Sequence, residues 1–416
     1  RVGLADAIMH ADGRPIVQMT DMSLRIPGLT AGKLTSLWRG KQSGVAQRPS
    51  LPVPIPLFDA GKILSFAIGK PSEAFGEPYK IFDSGRVIAR LPGPPYQFLD
   101  RITQIRGCKP FVLEAGGEIE AQYDVPSDAW YFAANRTRTM PFAVLLEAAL
   151  QPCGWLAAYL GSALTSPTDL SFRNLGGTAI LNEDIGPDAG TLTTRIKITK
   201  VARSGGMIIQ DYDMAVFRGP AEDGKLVYKG VTEFGFFSKK ALAEQVGVRG
   251  AKPYAPTEQE TAFGGTELSA GGFELPDKRL LMLDGLDLWA PEGGPKGLGY
   301  IRGQKVVDPS EWFFKAHFYQ DPVCPGSLGL ESFLQLLKIL AGRRWGQAGG
   351  RLETMLLGKP HTWLYRGQVV PNNKRVTVEA AVTEIDDRAR TLKADGFLKV
   401  DGLVIYQMKD FAARVL

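Results

Sequence analysis

Two stretches of the chain are apolar almost all the way around the helical period. They are residues 140–160 (MPFAVLLEAALQPCGWLAAYL) and 325–341 (PGSLGLESFLQLLKILA), and both are too long for a strand. A helix with apolar residues on every face is stable only inside a core. Pro325 suits a first helical turn, whereas Pro152 lies inside the first helix and predicts a kink. The pattern therefore predicts two long, buried helices.

Each predicted helix is followed by segments with the two-residue period of a strand. The segments TLTTRIKITKV, from Thr191, and KRVTVEAAV, from Lys374, alternate well between apolar and polar residues. Such alternation is typical of an antiparallel sheet with one face on the core. A long buried helix wrapped by such a sheet is an α+β arrangement.

One short pattern occurs three times along the chain. It reads DGRPIVQMTDMSLRI from Asp12, DGKLVYKGVTEFGFF from Asp223 and DGLVIYQMKDFAARV from Asp401. Asp-Gly favours a tight hairpin turn, and the residues after it are β-branched or aromatic. Each copy is predicted to be the closing strand of a module.

The two predicted helices also repeat at a fixed spacing. Glu147 precedes Glu331 by 184 residues, and Gln151 precedes Gln335 by the same number. Met-Pro stands before the first helix as Cys-Pro stands before the second. A constant offset shared by several residue types indicates an internal duplication.

The duplication predicts the domain organisation of the 416 residues. Stretches rich in Gly, Pro and Ala are predicted as linkers, although the apolar residues Ile63, Leu64 and Phe66 predict that the first one packs on a module. The predicted segments are a closing strand of a preceding module (1–26), a linker (27–75), module 1 (76–240), a second linker (241–275) and module 2 (276–416).

Composition excludes several classes of function. Hydrophobic residues make up 44% and charged residues 22%, which is an ordinary globular balance. The net charge of +5 is spread over scattered Lys and Arg, which argues against nucleic-acid binding. No apolar run approaches the ~20 residues of a membrane span, and no signal peptide is evident. Three scattered Cys and three scattered His predict no metal site and favour reduced thiols in a cytoplasmic protein.

The most specific local motif runs from Trp312 to Glu331, WFFKAHFYQDPVCPGSLGLE. It resembles the 3-hydroxydecanoyl carrier-protein dehydratase family, which carries His-Phe, Asp-Pro-Val-x-Pro-Gly, Leu-Gly-Leu-acid and a Gln four residues later. Each element is present, with Glu331 where the family more often has Asp. The resemblance continues through LYRGQVVP, from Leu364, to the last strand.

The two modules together resemble the tandem dehydratase region of microbial polyunsaturated fatty acid synthases. That resemblance implies a double hotdog fold, in which antiparallel sheets each wrap around a long buried helix. It also implies acyl carrier protein domains and neighbouring synthase domains as partners. The substrate is then carried on phosphopantetheine, with no separate cofactor. The modules are expected to form an internal pseudo-dimer, and further homodimerisation stays open.

The chemistry of dehydration explains the residue types in the motif. A histidine such as His317 can accept the α-proton, and a carboxyl group buried in an apolar helix keeps the proton that the departing hydroxyl needs. Gly326 offers a backbone N–H at a helix N-terminus to the thioester oxygen. Gln335 is a further candidate for binding the substrate. His10 and His361 lie outside the motif and are predicted to be structural or surface residues.

Module 1 departs from the family pattern at the decisive position. Asn135 stands where module 2 has His317, and Phe142 replaces Gly326, yet Glu147 is retained. The family builds each site from two hotdogs, so the resemblance implies a working pair of His317 with Glu147. The other pair, Asn135 with Glu331, is expected to be inactive, although it remains a candidate for binding acyl chains. Two alternatives stay open: Glu331 as the partner of His317, and Glu147 as a packing residue.

Three further functions remain as alternatives to a simple dehydratase. A dehydratase that also moves the double bond would use the same histidine and acid. A hotdog thioesterase does not require this motif. A non-catalytic scaffold that docks carrier proteins is suggested by the altered module 1 but is opposed by the intact His317 and Gly326.

Overall fold

Strands β1 (Val2–Ala11) and β2 (Arg14–Arg25) form an antiparallel hairpin, which belongs to the first of the two units into which the chain divides. The computed structural model describes residues 2–11, 14–25, 56–346 and 350–416. The predicted Asp12-Gly13 turn and the side chain of His10 lie outside the described residues. The assignment of this hairpin to a preceding module stays a prediction.

The second unit, residues 56–416, contains the remaining elements. In module 1 and the segment before it, the elements are α1 (Ala60–Ala67), α2 (Pro71–Phe75), α3 (Ile81–Ser84), β3 (Arg101–Arg106), β4 (Glu118–Asp124), α4 (Trp130–Asn135), α5 (Phe142–Tyr159), β5 (Ser171–Leu181), β6 (Thr191–Ser204), β7 (Met207–Arg218) and β8 (Lys225–Phe237). Short 3₁₀ helices occupy Glu77–Tyr79 and Ser162–Thr165.

The second linker and module 2 follow with a matching series. The elements are α6 (Lys239–Ala243), α7 (Glu258–Thr261), β9 (Gly285–Ala290), β10 (Tyr300–Val306), α8 (Trp312–Ala316), α9 (Gly326–Trp345), β11 (Leu352–Glu353), β12 (Pro360–Tyr365), β13 (Arg375–Asp386), β14 (Thr391–Val400) and β15 (Leu403–Val415).

The strands of both modules join into one antiparallel sheet. Module 1 is ordered β3-β4-β6-β7-β8-β5, and module 2 runs β12-β15-β14-β13-β10-β9, which is the same order read from the opposite edge. The edge strands β5 and β12 pair with each other and form a seam, with Thr178 directly opposite Thr362. The fold is therefore a double hotdog in which two equivalent sheets meet edge to edge.

The two long helices are buried, as their apolar pattern predicts. Helix α5 continues without interruption through Pro152, and α9 begins at Gly326, with Pro325 as the preceding cap, and extends to Trp345. By length and composition α5 could cross a membrane, but 89% of it is buried inside the protein. It is therefore the core helix of module 1 and gives no evidence of a membrane span.

The duplication is visible in matching hydrogen bonds. Gln151 accepts a hydrogen bond from the backbone N–H of Phe98 at 2.8 Å and donates to Glu147 at 3.1 Å. Gln335 accepts from the N–H of Met282 at 3.0 Å and donates to Glu331 at 3.1 Å. Each Gln thus connects its helix by a hydrogen bond to the loop before the first strand of its module. It also orients the Glu that lies one helical turn earlier.

Two of the predicted Asp-Gly turns are also present. Gly224 lies in the turn that precedes β8, and Asp401-Gly402 connects β14 to β15. Asp401 and Gly402 both have positive φ, 49° and 88°, as a tight hairpin turn between two strands requires.

The predicted linkers contain short helices that their composition does not indicate, within residues 56–75 and 241–275. Residues 27–55 of the first linker lie outside the part of the chain that the structure describes. Within residues 56–75, helices α1 and α2 fold against module 1, with Ile63 and Phe66 buried and Leu64 exposed. Phe75 packs against Phe66 and against Trp155 of α5, at ring-centroid distances of 5.0 and 5.9 Å. Within residues 241–275, α7 forms a capping box and Leu268, Phe273 and Leu275 pack on the core. Short amphipathic turns of this kind escape detection because their periodicity spans too few residues.

Candidate active site

A cavity of about 90 Å³ lies where the N-terminus of α9 faces α5. Its walls come from both modules. Glu147 and Arg173 belong to module 1, and His317, Gly326 and Tyr365 belong to module 2. Three of the predicted site residues, Glu147, His317 and Gly326, therefore line one space.

His317 is the residue that directly follows α8, and its side chain is buried. Its Nδ1 donates a hydrogen bond to the Val323 carbonyl at 3.2 Å, which leaves the lone pair on Nε2. Burial lowers the pKa of His317 to about 3, so the imidazole is neutral at physiological pH. A neutral imidazole with a fixed tautomer can act as a general base.

Glu147 occupies the middle of α5 and is buried on all sides. Its Oε1 accepts a hydrogen bond from the Ser327 hydroxyl of module 2 at 2.7 Å, and its Oε2 accepts from Gln151 at 3.1 Å. Burial raises the pKa of Glu147 to about 7, against the opposing effect of these two hydrogen bonds. Near neutrality a large fraction of this carboxyl group keeps its proton and can act as a general acid.

Gly326 is the first residue of α9, where backbone N–H groups have no partner within the helix. A Cβ added here would lie 2.7 Å from Cε2 of Tyr365, so no other residue fits without displacing that ring. The helix dipole makes this end attractive to negative charge. The predicted role for Gly326 thus has a geometric basis, with the neighbouring ring supplied by Tyr365.

An ion pair closes one side of the cavity across the module seam. Arg173 of β5 binds Asp321 through both terminal nitrogens, at 2.8 and 2.9 Å, and its Nε donates to Gln368 at 2.7 Å. The pKa of Asp321 is lowered by Arg173 despite the burial of the carboxylate. Arg173 thereby fixes the loop that follows His317.

The cavity has an apolar wall that continues along α5. Leu91, Leu150, Gly154 and Phe172 contribute to it. A second, smaller cavity is also lined by Gly154 and Phe172, together with Ala158 of the same helix. The shape and polarity of this wall suit an alkyl chain, because apolar surface is removed from water along its length.

Glu331 and Gln335 lie in the other, pseudo-equivalent position and do not line the cavity with His317. The Gln335 side chain donates hydrogen bonds to the Leu280 carbonyl and to Glu331, and it accepts one from the backbone N–H of Met282. Burial raises the pKa of Glu331. Glu331 accepts a hydrogen bond from the backbone N–H of Ala143, whereas Glu147 accepts one from the hydroxyl of Ser327 at the equivalent position. The structure brings His317 together with Glu147, not with Glu331.

Aromatic side chains from both modules fill the space beside the start of α5. The Phe142 ring packs edge-on against His361 and Tyr228, at centroid distances of 5.3 and 5.9 Å. The Asn135 amide donates to Thr137 and to the Thr139 carbonyl, at 2.7 and 2.9 Å, within its own loop. A role for Asn135 in binding acyl chains stays a prediction.

The remaining candidate groups are accounted for by packing. His361 is buried in an aromatic cluster and accepts or donates one hydrogen bond with Tyr228 at 3.0 Å. Cys324 lines the cavity, but burial raises its pKa to about 12, which disfavours the reactive thiolate. Across residues 2–11, 14–25, 56–346 and 350–416, no cluster of three or more His, Cys, Asp or Glu side chains is positioned to hold a metal ion.

Sequence reasoning did not identify Ser327, Arg173 or Tyr365. Ser327 has a signal in the sequence, since it follows Gly326 whereas Ala143 follows Phe142. Tyr365 lies inside the stretch that resembles the dehydratases. Arg173 carries no local signal, because only the pairing of β5 with β12 brings it to module 2.

The chain resembles solved structures of two dehydratase domains from the curacin polyketide synthase. The CurJ domain gives a TM-score of 0.43 at 14% identity and covers 76% of this chain and 96% of its own. The CurF domain gives a TM-score of 0.43 at 13% identity, with 76% and 98% covered.

Among curated proteins, one subunit of the polyunsaturated fatty acid synthase of Thraustochytrium sp. is 32% identical over 391 residues. The match includes 84% of this chain but only 25% of the relative, so the chain spans about a quarter of that protein's length. A sequence model described as the FabA-like domain matches twice, at residues 91–230 and 275–409. These two matches together cover more than half of the chain, and the chain therefore belongs to the FabA-like domain family.

Proposed function

We propose that this chain is a dehydratase domain of a polyunsaturated fatty acid or polyketide synthase. Its substrate is a 3-hydroxyacyl thioester carried on the phosphopantetheine arm of an acyl carrier protein, and its product is the 2-enoyl thioester. The observation that carries the proposal is the convergence of His317 and Glu147, from different modules, on one cavity beside the N-terminus of α9.

The elimination uses groups on both sides of the substrate. Nε2 of His317 removes the proton from C2, and the electrons of that C–H bond form the C2–C3 double bond. The C3–O bond breaks as Glu147 donates its proton to the departing hydroxyl, which leaves as water. The imidazolium and the carboxylate then return to their starting states by passing the proton from His317 to Glu147.

The negative charge that develops on the thioester oxygen needs a donor in place before the reaction. The backbone N–H of Gly326 supplies one at a helix N-terminus, where the dipole favours negative charge. Ser327 holds the carboxyl of Glu147 toward the cavity. The apolar wall along α5 accommodates the acyl chain.

The proposed setting is a multidomain synthase. Carrier-protein domains deliver the thioester, and neighbouring synthase domains are the other partners. The reaction needs no cofactor apart from the arm of the carrier protein, and the site of action is the cytoplasm. The internal pseudo-dimer supplies both halves of the site, so catalysis does not depend on a second copy of the chain.

The direct test is to incubate the chain with a 3-hydroxydecanoyl thioester on a carrier protein and to follow the ultraviolet absorbance of the conjugated enoyl product. Chromatography separates 2-enoyl from 3-enoyl products and so reveals any movement of the double bond. His317→Asn, which installs the residue found in module 1, is expected to abolish the reaction. His361→Asn, a buried histidine outside the cavity, is the control and is expected to keep it.

Two outcomes contradict the proposal. One is a wild-type chain that binds carrier protein but converts no 3-hydroxyacyl thioester of any length, which supports a docking scaffold. The other is release of free acid in place of enoyl thioester, which supports a thioesterase.

A further inference from the structure

The hydroxyl of Tyr365 is a buried polar group without a partner at the edge of the cavity. Tyr365 is the last residue of β12, its side chain is buried, and its hydroxyl has no hydrogen-bond partner among the residues that the structure describes. Buried tyrosine hydroxyls usually find a partner. Since Tyr365 lines the cavity with His317 and Glu147, the missing partner is expected to be a bound molecule.

The position of this hydroxyl relates it to the start of α9. An ideal Cβ on Gly326 would lie 2.9 Å from Cζ of Tyr365 and 3.2 Å from its hydroxyl oxygen. The ring of Tyr406 packs on Tyr365 at a centroid distance of 4.3 Å and fixes it from the other side. The hydroxyl and the first turn of α9 therefore share one corner of the cavity.

Module 1 has no equivalent of this arrangement. Thr178 and Thr362 face each other at the seam with the 184-residue spacing of the duplication, so the counterpart of Tyr365 is Leu181. The counterpart of Gly326 at the same spacing is Phe142. The hydroxyl and the space beside it are both confined to the site that keeps a histidine.

We propose that the Tyr365 hydroxyl donates a hydrogen bond to the thioester carbonyl oxygen of the bound acyl chain, together with the backbone N–H of Gly326. This inference rests on the proposed dehydratase function. Two donors would stabilise the charge that develops on this oxygen as the C2 proton leaves. Burial raises the pKa of Tyr365 well above its usual value, so the hydroxyl keeps its proton and remains a donor near neutral pH. Glu147 already protonates the departing 3-hydroxyl. The thioester carbonyl oxygen is therefore the substrate group that remains to accept a hydrogen bond from Tyr365.

The test is Tyr365→Phe, which removes one oxygen atom and leaves the ring that packs on Gly326. Its kcat for a 3-hydroxydecanoyl thioester is expected to fall about 100-fold with little change in KM, because the donor acts mainly in the transition state. The matched control is Tyr228→Phe, which removes the hydroxyl that pairs with His361 and is expected to keep wild-type kcat.

A second measurement does not depend on turnover. The infrared carbonyl band of a bound 2-enoyl thioester is expected to lie at higher wavenumber in Tyr365→Phe than in the wild-type chain, because one hydrogen bond to the oxygen is lost. An unchanged band, or a kcat within about twofold of wild type, overturns the role of Tyr365. If the wild-type chain itself forms no enoyl product, the proposed function fails, whereas the band shift still reports whether Tyr365 contacts the carbonyl.

Discussion

Thr178 of β5 and Thr362 of β12 face each other across the module seam, and their hydroxyls share a hydrogen bond of 2.9 Å. They are separated by 184 residues, the spacing that also separates Glu147 from Glu331. A residue that meets its own counterpart lies on a two-fold axis, as in the interface of a homodimer. The seam between the two modules therefore corresponds to a homodimer interface. Because the two halves are encoded in one chain, each can change its own sequence, and the two sites can differ.

The pairing of His317 with Glu147 predicts unequal effects of the two helix glutamates. Glu147→Gln is expected to lower kcat by at least about 100-fold, because an amide cannot protonate the departing hydroxyl. Glu331→Gln, the matched substitution one module later, is expected to stay within about threefold of wild type. Steady-state kinetics with a 3-hydroxyacyl thioester check both values. A severe loss in Glu331→Gln with an active Glu147→Gln would make Glu331 the partner of His317.

The hydrogen bond from Ser327 predicts the pH dependence of catalysis. This bond lowers the pKa of Glu147, which burial has raised to about 7, and catalysis needs the protonated form. The rate is therefore expected to fall as the pH rises through that value. In Ser327→Ala the pKa rises further, so the alkaline limb of the kcat/KM profile moves to higher pH. The control is Ser332→Ala on the same helix, because the Ser332 hydroxyl donates to the Gly329 carbonyl and not to Glu147. This substitution should not move the alkaline limb.

The ion pair across the seam predicts a loss of both stability and activity. Asp321→Ala leaves the guanidinium of Arg173 partly buried without a carboxylate, at a cost of roughly 3 kcal/mol in the free energy of unfolding. Activity is expected to fall too, because the loop after His317 loses its anchor. Urea unfolding and kinetics measure the two effects. Glu384→Ala, which breaks a more exposed pair with Lys393, should leave both nearly unchanged.

Gly154 predicts how the chain length of the substrate is limited. It lies two helical turns after Glu147, and a Cβ there would be 3.4 Å from Leu91 and 3.5 Å from Phe172. Gly154→Leu is expected to reduce activity on a 3-hydroxydecanoyl thioester by about tenfold or more while sparing a 3-hydroxybutyryl thioester. Lys338→Leu, at the equivalent place on α9, is the control and should preserve the chain-length profile. Equal losses for both substrates would argue against an acyl path along α5.

The sequence alone determined the elements and their repetition. Apolar residues on every face placed the two buried helices, and Asp-Gly marked the hairpin turns at Gly224 and Asp401, because these signals act within a few residues. The 184-residue spacing revealed the duplication, and the motif around His317 indicated the family. The same reasoning predicted that the apolar residues of the first linker pack on a module, but it did not predict the short helices within residues 60–75. Those helices depend on packing against Trp155 of α5 and not on a long periodic pattern.

Only the tertiary structure decided which groups share a site. The pairing of β5 with β12 brings Arg173 to Asp321, and the meeting of α5 with α9 brings Ser327 to Glu147, over separations of 148 and 180 residues. Local propensity contains no information on contacts of this range. They are fixed by the burial of both helices under one continuous sheet, which places the histidine of module 2 opposite the acid of module 1.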